Sequence, residues 1–431
     1  MTLRLVILDI PPETNAGDLA RELGLLGLLR DHGYEQLGVS VVLGPNQLDR
    51  LSIDYPVLSS DSGIEILPVL RPTFFNDAVG AMRVVAEVGN ALSLLLVSIG
   101  IPLVRFAPRF AKRLIPNSYR RTIEALEQAD VVVWFGKNLR SRRSRLVEAY
   151  RVHSKILMPL VAIALRKPVV CLGASIWWLG SRPGGRMLGF VLRRCAVVSV
   201  RESVSSKHAH GILGSASPIT EVPDLSLGIL RGRPTRVGRS FEAGMKVSVT
   251  LVDWSEFGSR VRADYVSAMA GFVERLIGER GAEVHVVPQV VKAWETASFI
   301  IDDFLRAIRS EHRPKVNVIE RGLDLDELFD QYRSSDLLLA SRMHSAIFAL
   351  GVGTPVLAVP YDVGSKWQII SDLGMGEFIV PYDRVRVGEL MSRFDRVVDD
   401  QDAIMSRVRN KLDEHMGRLS DNLYFIESAA P

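Results

Sequence analysis

Asp336-Leu337-Leu338-Leu339-Ala340-Ser341-Arg342-Met343-His344-Ser345-Ala346-Ile347-Phe348-Ala349-Leu350 reads as an apolar strand running straight into a helix. Four consecutive apolar residues leave no inward–outward alternation, so the strand predicted over 336–340 has both faces covered, the mark of a parallel sheet. The helix predicted from about Met343 buries residues 346–350 and serves as a crossover to the next parallel strand.

The same alternation extends to both sides. Strands are predicted at 3–10, 37–43, 63–69, 130–135, 168–173 and 196–200, with helical spacing over 19–32 and 146–165. A second series follows: strands at 247–252, 283–287, 316–319, 336–340, 355–359 and a short one at 378–380, with helices over 265–279 and 299–310. Between the two lies 231–246, with five basic residues, three glycines and one proline and no periodicity, which reads as a linker. The expectation is α/β: two doubly wound, Rossmann-like domains facing a cleft. The first covers 1–230, the acceptor side, and the second 247–399, with the donor site. A helical tail covers 400–431. At 431 residues the chain exceeds one ordinary core.

Composition narrows the function. Hydrophobic residues make up 47% and charged residues 24%, which excludes wholesale disorder. A formal net charge of +4 suits anionic small ligands or an anionic surface, and with no nucleic-acid-binding motif present no nucleic-acid partner is expected. Cys171 sits in an apolar run, and neither it nor Cys195 has a metal-type spacing partner, so a reducing compartment is expected. The N-terminal strand is interrupted by charge and lacks a signal-peptide pattern, which predicts a cytoplasmic protein. The run 91–104 is nearly all apolar but short of the roughly 20 residues of a bilayer span. Arg105, Arg109, Lys112, Arg113, Arg120 and Arg121 follow it, so 91–121 reads either as a buried helix with a solvated basic one or as a peripheral contact with the inner membrane face.

Three places carry chemistry. Arg342 and His344 stand where a core strand turns into a helix, so the arginine charge, free amides and the helix dipole would together hold a phosphate or carboxylate. Val198-Ser199-Val200-Arg201-Glu202-Ser203 repeats the arrangement. There Arg201 is either half of an ion pair with a neighbouring carboxylate or a second cation facing the cleft. Asn15-Ala16-Gly17-Asp18 follows the first strand, where Asn and Gly suit a tight turn and Asp18 suits a helix cap. Its spacing is not a dinucleotide fingerprint.

Together N-x-G-D at Asn15–Asp18, V-R-E-x-x-S at 200–205, Pro223-Asp224-Leu225, and R-M-H-S-A-I-F-A-L followed by G-T-P-V-L-A-V-P-Y and Lys366 resemble the polysaccharide pyruvyl transferase family. The resemblance runs from Asn15 to about Leu373. It implies a glycosyltransferase-B-like fold, phosphoenolpyruvate as donor, a polysaccharide or glycolipid acceptor (lipid-linked in some cases), and a cyclic pyruvate ketal as product. In the family, the residues matching Arg201, Arg342, Met343 and His344 serve donor binding and catalysis. Ser345 and Lys366 join them as donor-side expectations. Asn15, Gly17, Asp18 and Trp177 are acceptor or loop expectations. No metal and no cofactor beyond the donor are expected. The sequence departs from the family at Phe135-Gly136-Lys137-Asn138, where a Gly-Gly pair is usual. It departs again at Gly173-Ala174-Ser175-Ile176-Trp177-Trp178, where a Gly-Pro step is usual. A nucleotide-sugar glycosyltransferase of the same fold and a non-catalytic membrane-face scaffold are the rival readings.

Overall fold

A computed structural model describes residues 3–8, 15–33, 38–43, 61, 63–68, 100, 117–136, 145–177, 179, 182–238, 241, 243–253, 258–288, 297–320, 322–361 and 366–430. The first sheet comprises β1 (Arg4–Leu8), β2 (Gly38–Leu43), β3 (Ile64–Pro68), β4 (Val131–Trp134), β5 (Val169–Ala174), β6 (Val197–Val200) and β7 (Thr220–Glu221). All are parallel, in the order β3-β2-β1-β4-β5-β6-β7. The helices between them are α1 (Ala16–Asp31), α2 (Asn117–Gln128), α3 (Arg145–Ala164), α4 (Arg182–Leu192) and α5 (Ser203–Leu213). Val6, Val132, Trp134 and Cys171 from the strands share one buried core with Ile123, Ile156, Val161 and Leu188 from the helices.

The second sheet holds β8 (Lys246–Thr250), β9 (Glu283–Val286), β10 (Val316–Val318), β11 (Leu337–Ala340) and β12 (Val356–Ala358). These too are parallel, ordered β10-β9-β8-β11-β12. Its helices are α6 (Ser259–Arg280), α7 (Ala297–Ala307), α8 (Leu325–Ser334), α9 (Met343–Gly351), α10 (Val387–Asp399) and α11 (Gln401–Gly417), and α12 (Ser420–Ala429) closes the chain. β11 is fully buried, as its unbroken apolar run requires; each leucine there contributes roughly 1.5–3 kcal/mol by leaving water. Asp336 fixes where β11 begins: its carboxylate accepts from the Lys246 amide at 2.8 Å and pairs with Arg236 at 3.0 Å. Asp324 and Glu327 form a reciprocal capping box at the start of α8. The strand predicted at 378–380 is reduced to a single parallel bridge between Ala358 and Ile379.

The chain forms two compact units that exchange segments. One contains residues 1–13, 25–225 and 419–431; the other contains 14–24 and 226–418. The start of α1 therefore belongs with the second sheet, and α12 with the first, where it packs over β4 and β5. Asn422, on α12, is fully buried and donates to the Pro223 carbonyl at 3.2 Å. The basic stretch read as a linker is bound into the second unit. Arg233 pairs with Asp326 at 2.7 Å and lies 4.0 Å over the Phe329 ring, and Arg236 reaches Asp336.

Most of 91–121, including Arg105, Arg109, Lys112 and Arg113, lies outside the described residues. Arg121, on α2, is paired with Glu65 of β3. Among the described residues no helix is long and apolar enough to cross a membrane.

Candidate functional site

In the second unit the strand order reverses between β8 and β11, and ligands of doubly wound sheets bind outside the strand ends at such a point. Arg342 stands there. It is the N-cap of α9, in extended conformation (φ −118°, ψ 124°), and its side chain makes no capping bond, so the first amides of α9 are left to other partners. Its Nε donates to the Leu251 carbonyl just past β8, at 3.4 Å, which ties the two strand ends together.

A buried polar stack supports this arginine. The Ser341 amide donates to Thr250 O and Oγ1 at 3.1 and 3.2 Å, and Ser341 Oγ lies 2.8 Å from the Tyr265 hydroxyl. The Tyr265 ring stacks on Tyr382 at 4.0 Å, and burial pushes the Tyr265 phenol well above its usual range, so it stays a neutral hydrogen-bonding group. Beside them Asp253 is held by Arg262 at 3.0 Å. Tyr265, Tyr382 and Asp253 carried no sequence signal beyond residue type.

His344 is half-buried, 6.2 Å from the Phe348 ring centre. Against it lies Gly17. A side-chain carbon at Gly17 would overlap His344 Nδ1 and Cγ and come within 2.7 Å of its Cβ. The structure thus brings the Asn15–Asp18 loop and His344 together within one unit. Asn15, rather than Asp18, caps α1: its Oδ1 accepts from the Gly17 amide at 3.2 Å. Asp18 instead accepts from Asn15 Nδ2 at 2.9 Å. The amide, unlike a carboxylate, accepts and donates at once, which is why Asn holds the cap. Met343 and Ser345 face inward: both are buried, Ser345 fully. Lys366 is hydrogen-bonded to the Tyr361 hydroxyl, with its ammonium 4.8 Å from that ring's centre.

Arg201 lies in the other unit, in a cluster of its own. A bulge in β5 at Gly173 (φ 54°) turns Ser175 so that its Oγ accepts from Arg201 Nε at 2.7 Å. The guanidinium is 7% exposed, paired with the fully buried Asp224 and 3.5 Å from Glu202. Ser205 closes the cluster, donating to Glu202 and accepting from the Ile176 amide. The Asp224 carboxylate thus balances the Arg201 charge inside its own unit, with Glu202 beside it.

Desolvation outweighs the pull of Arg201 and raises the Glu202 carboxyl above its ordinary 4.5. The folded state then keeps a proton that the unfolded chain has lost, so stability falls as pH rises from about 4.5 to the raised value. Glu202→Gln is expected to flatten that decline in a comparison of Tm–pH profiles. An unchanged profile would mean Glu202 is ionised at an ordinary pKa.

Cys195 is half-buried, and desolvation pushes its thiol up to about 12, which leaves it inert as a nucleophile. Among the described residues no cluster of His, Cys, Asp or Glu is placed to hold a metal ion.

Two doubly wound parallel sheets make this a glycosyltransferase-B-type fold, and solved structures agree. Arabidopsis thaliana UGT89C1 superposes with a TM-score of 0.57 at 14% identity, covering 100% of both chains. UDP-GlcNAc 2-epimerase from Methanocaldococcus jannaschii does so with 0.53 at 10% identity, covering 93% of each. The profile of the polysaccharide pyruvyl transferase family matches residues 15–363, and the chain belongs to that family, a family of transferases. The match opens at Asn15 and closes three residues before Lys366. The amylovoran biosynthesis protein AmsJ of Erwinia amylovora is 21% identical over 389 residues, 85% of this chain and 89% of that protein.

Proposed function

We propose that this transferase moves the pyruvyl group of phosphoenolpyruvate onto two hydroxyls of a saccharide, forming a cyclic ketal. The observation that carries the proposal is Arg342 at the β8/β11 reversal with His344 one residue into α9, inside the span of the family match. Arg342 and the first amides of α9 bind the donor's anionic groups. Lys366 adds charge for the leaving phosphate. Arg201, whose charge Asp224 balances, is assigned to shaping its own strand end instead.

His344 delivers a proton to the methylene carbon, C3, as a sugar hydroxyl adds at C2. The bond from C2 to the phosphate oxygen then breaks and inorganic phosphate leaves. The second hydroxyl adds at C2 and closes the ring. Of the two hydroxyl protons, one ends on the new methyl group and the other leaves with phosphate. Histidine suits the transfer because its ordinary pKa lies near working pH.

The test compares thermal shifts by phosphoenolpyruvate, UDP, GDP and inorganic phosphate on wild type and Arg342→Ala. A ligand at a hundredfold excess over its Kd raises stability by about 2.7 kcal/mol. Phosphoenolpyruvate should stabilise selectively, and the variant should lose the effect. His344→Ala should keep the shift and lose roughly 100-fold in turnover. Selective stabilisation by a nucleotide would make the chain a glycosyltransferase and end the proposal.

A further inference from the structure

The first unit carries a basic groove, of about 580 Å³, between α4 and α5. Arg182 and Arg186 stand four residues apart on α4, and Arg193, just past its end, lines the groove with them. Lys207 and His208 line the facing side on α5, and Trp177 is a further lining residue. No carboxylate is among its described lining residues. Glycines make the groove. The helices approach each other at Gly189, where an added side-chain carbon would meet Ile212 at 3.0 Å. At Gly185 and Gly211 it would meet nothing within 4 Å, so bare backbone forms the floor. His208 is fixed by its Nδ1, which donates to the Ile176 carbonyl at 3.1 Å.

Four uncompensated-by-carboxylate cations in a concave site of ligand size point to a polyanion. The half-buried indole beside them adds a flat apolar surface, which fits the C–H face of a pyranose ring. We propose that this groove binds an acidic saccharide, its ring on Trp177 and its phosphate or uronate groups on Arg182, Arg186, Arg193 and Lys207. The inference rests on the transferase reading in one respect: it identifies the acceptor as a negatively charged sugar. One indole among the described lining residues, without a succession of stacking faces, does not fit a nucleic-acid strand.

The experiment is calorimetric titration with glucose 1-phosphate, tetragalacturonate, neutral maltotetraose and inorganic phosphate. It uses wild type, Trp177→Ala and the doubly reversed R186E/R193E, whose changes lie at exposed positions. At least one acidic saccharide should bind ten times more tightly than maltotetraose, and which one binds distinguishes phosphate from uronate. Charge reversal should weaken that binding at least tenfold, and Trp177→Ala should weaken the saccharide but not inorganic phosphate. Equal binding of the neutral sugar, affinity untouched by charge reversal, or inorganic phosphate matching the saccharides would each overturn the proposal. A thermal shift by phosphoenolpyruvate is read in parallel. Its absence in wild type, with acidic saccharide still bound, would sink the donor assignment alone.

Discussion

Gly17→Ala is expected to lower turnover about 100-fold while the protein stays folded. The added methyl occupies the space of the His344 ring, so the imidazole, the α1 backbone or both must move. The methyl cannot swing aside, because it has no rotamer that avoids the ring. Asn15 holds the Gly17 amide at 3.2 Å and the first turn of α1 with it, so the histidine is the softer partner. Displacing a proton-transfer group by about 1 Å costs on the order of 10²-fold. Overpacking of this kind costs about 1–3 kcal/mol of stability, which lowers Tm without unfolding the chain. Phosphate release from phosphoenolpyruvate with a saccharide acceptor reads the first effect and thermal melting the second. Donor-induced stabilisation should persist, since Arg342 is untouched. Normal turnover in a folded Gly17→Ala protein would show that His344 does no chemistry from its present position.

What the sequence revealed, and what it hid, follows from the range of each interaction. Leu337–Ala340 announces a buried parallel strand because burial on both faces demands an unbroken apolar run. β7 gave no such signal: two exposed residues at a sheet edge need no apolar character. α4 was equally silent, since Gly184, Gly185 and Gly189 argue against a helix; Gly185 lines the groove and Gly189 lets α5 approach. Arg342 and His344 were legible from the strand-to-helix step alone. That Gly17 touches His344 was not, because the 326 intervening residues carry no trace of it. For Arg201, the sequence left an ion pair and a cleft-facing cation both open. The carboxylate that pairs with it, Asp224, was visible only as half of a Pro-Asp step.

Removing that carboxylate is the second large perturbation. Asp224→Ala is expected to cost about 3–5 kcal/mol, the size found when one partner of a buried pair is deleted. Arg201 is only 7% exposed and would keep its charge, with Ser175 and the more distant Glu202 as remaining partners. Glu202 cannot fully replace Asp224, because desolvation already favours its protonated form. Chemical denaturation measures the loss, and the paired replacement Arg201→Met with Asp224→Leu separates its causes. If the penalty belongs to the stranded guanidinium, the double variant should recover most of the stability, since buried pairs are often replaced by apolar groups at little cost. It should also retain stabilisation by phosphoenolpyruvate, because the donor contacts are assigned to Arg342. A stable double variant that no longer responds to phosphoenolpyruvate would return Arg201 to the donor site, with Asp224 as the group that orients it.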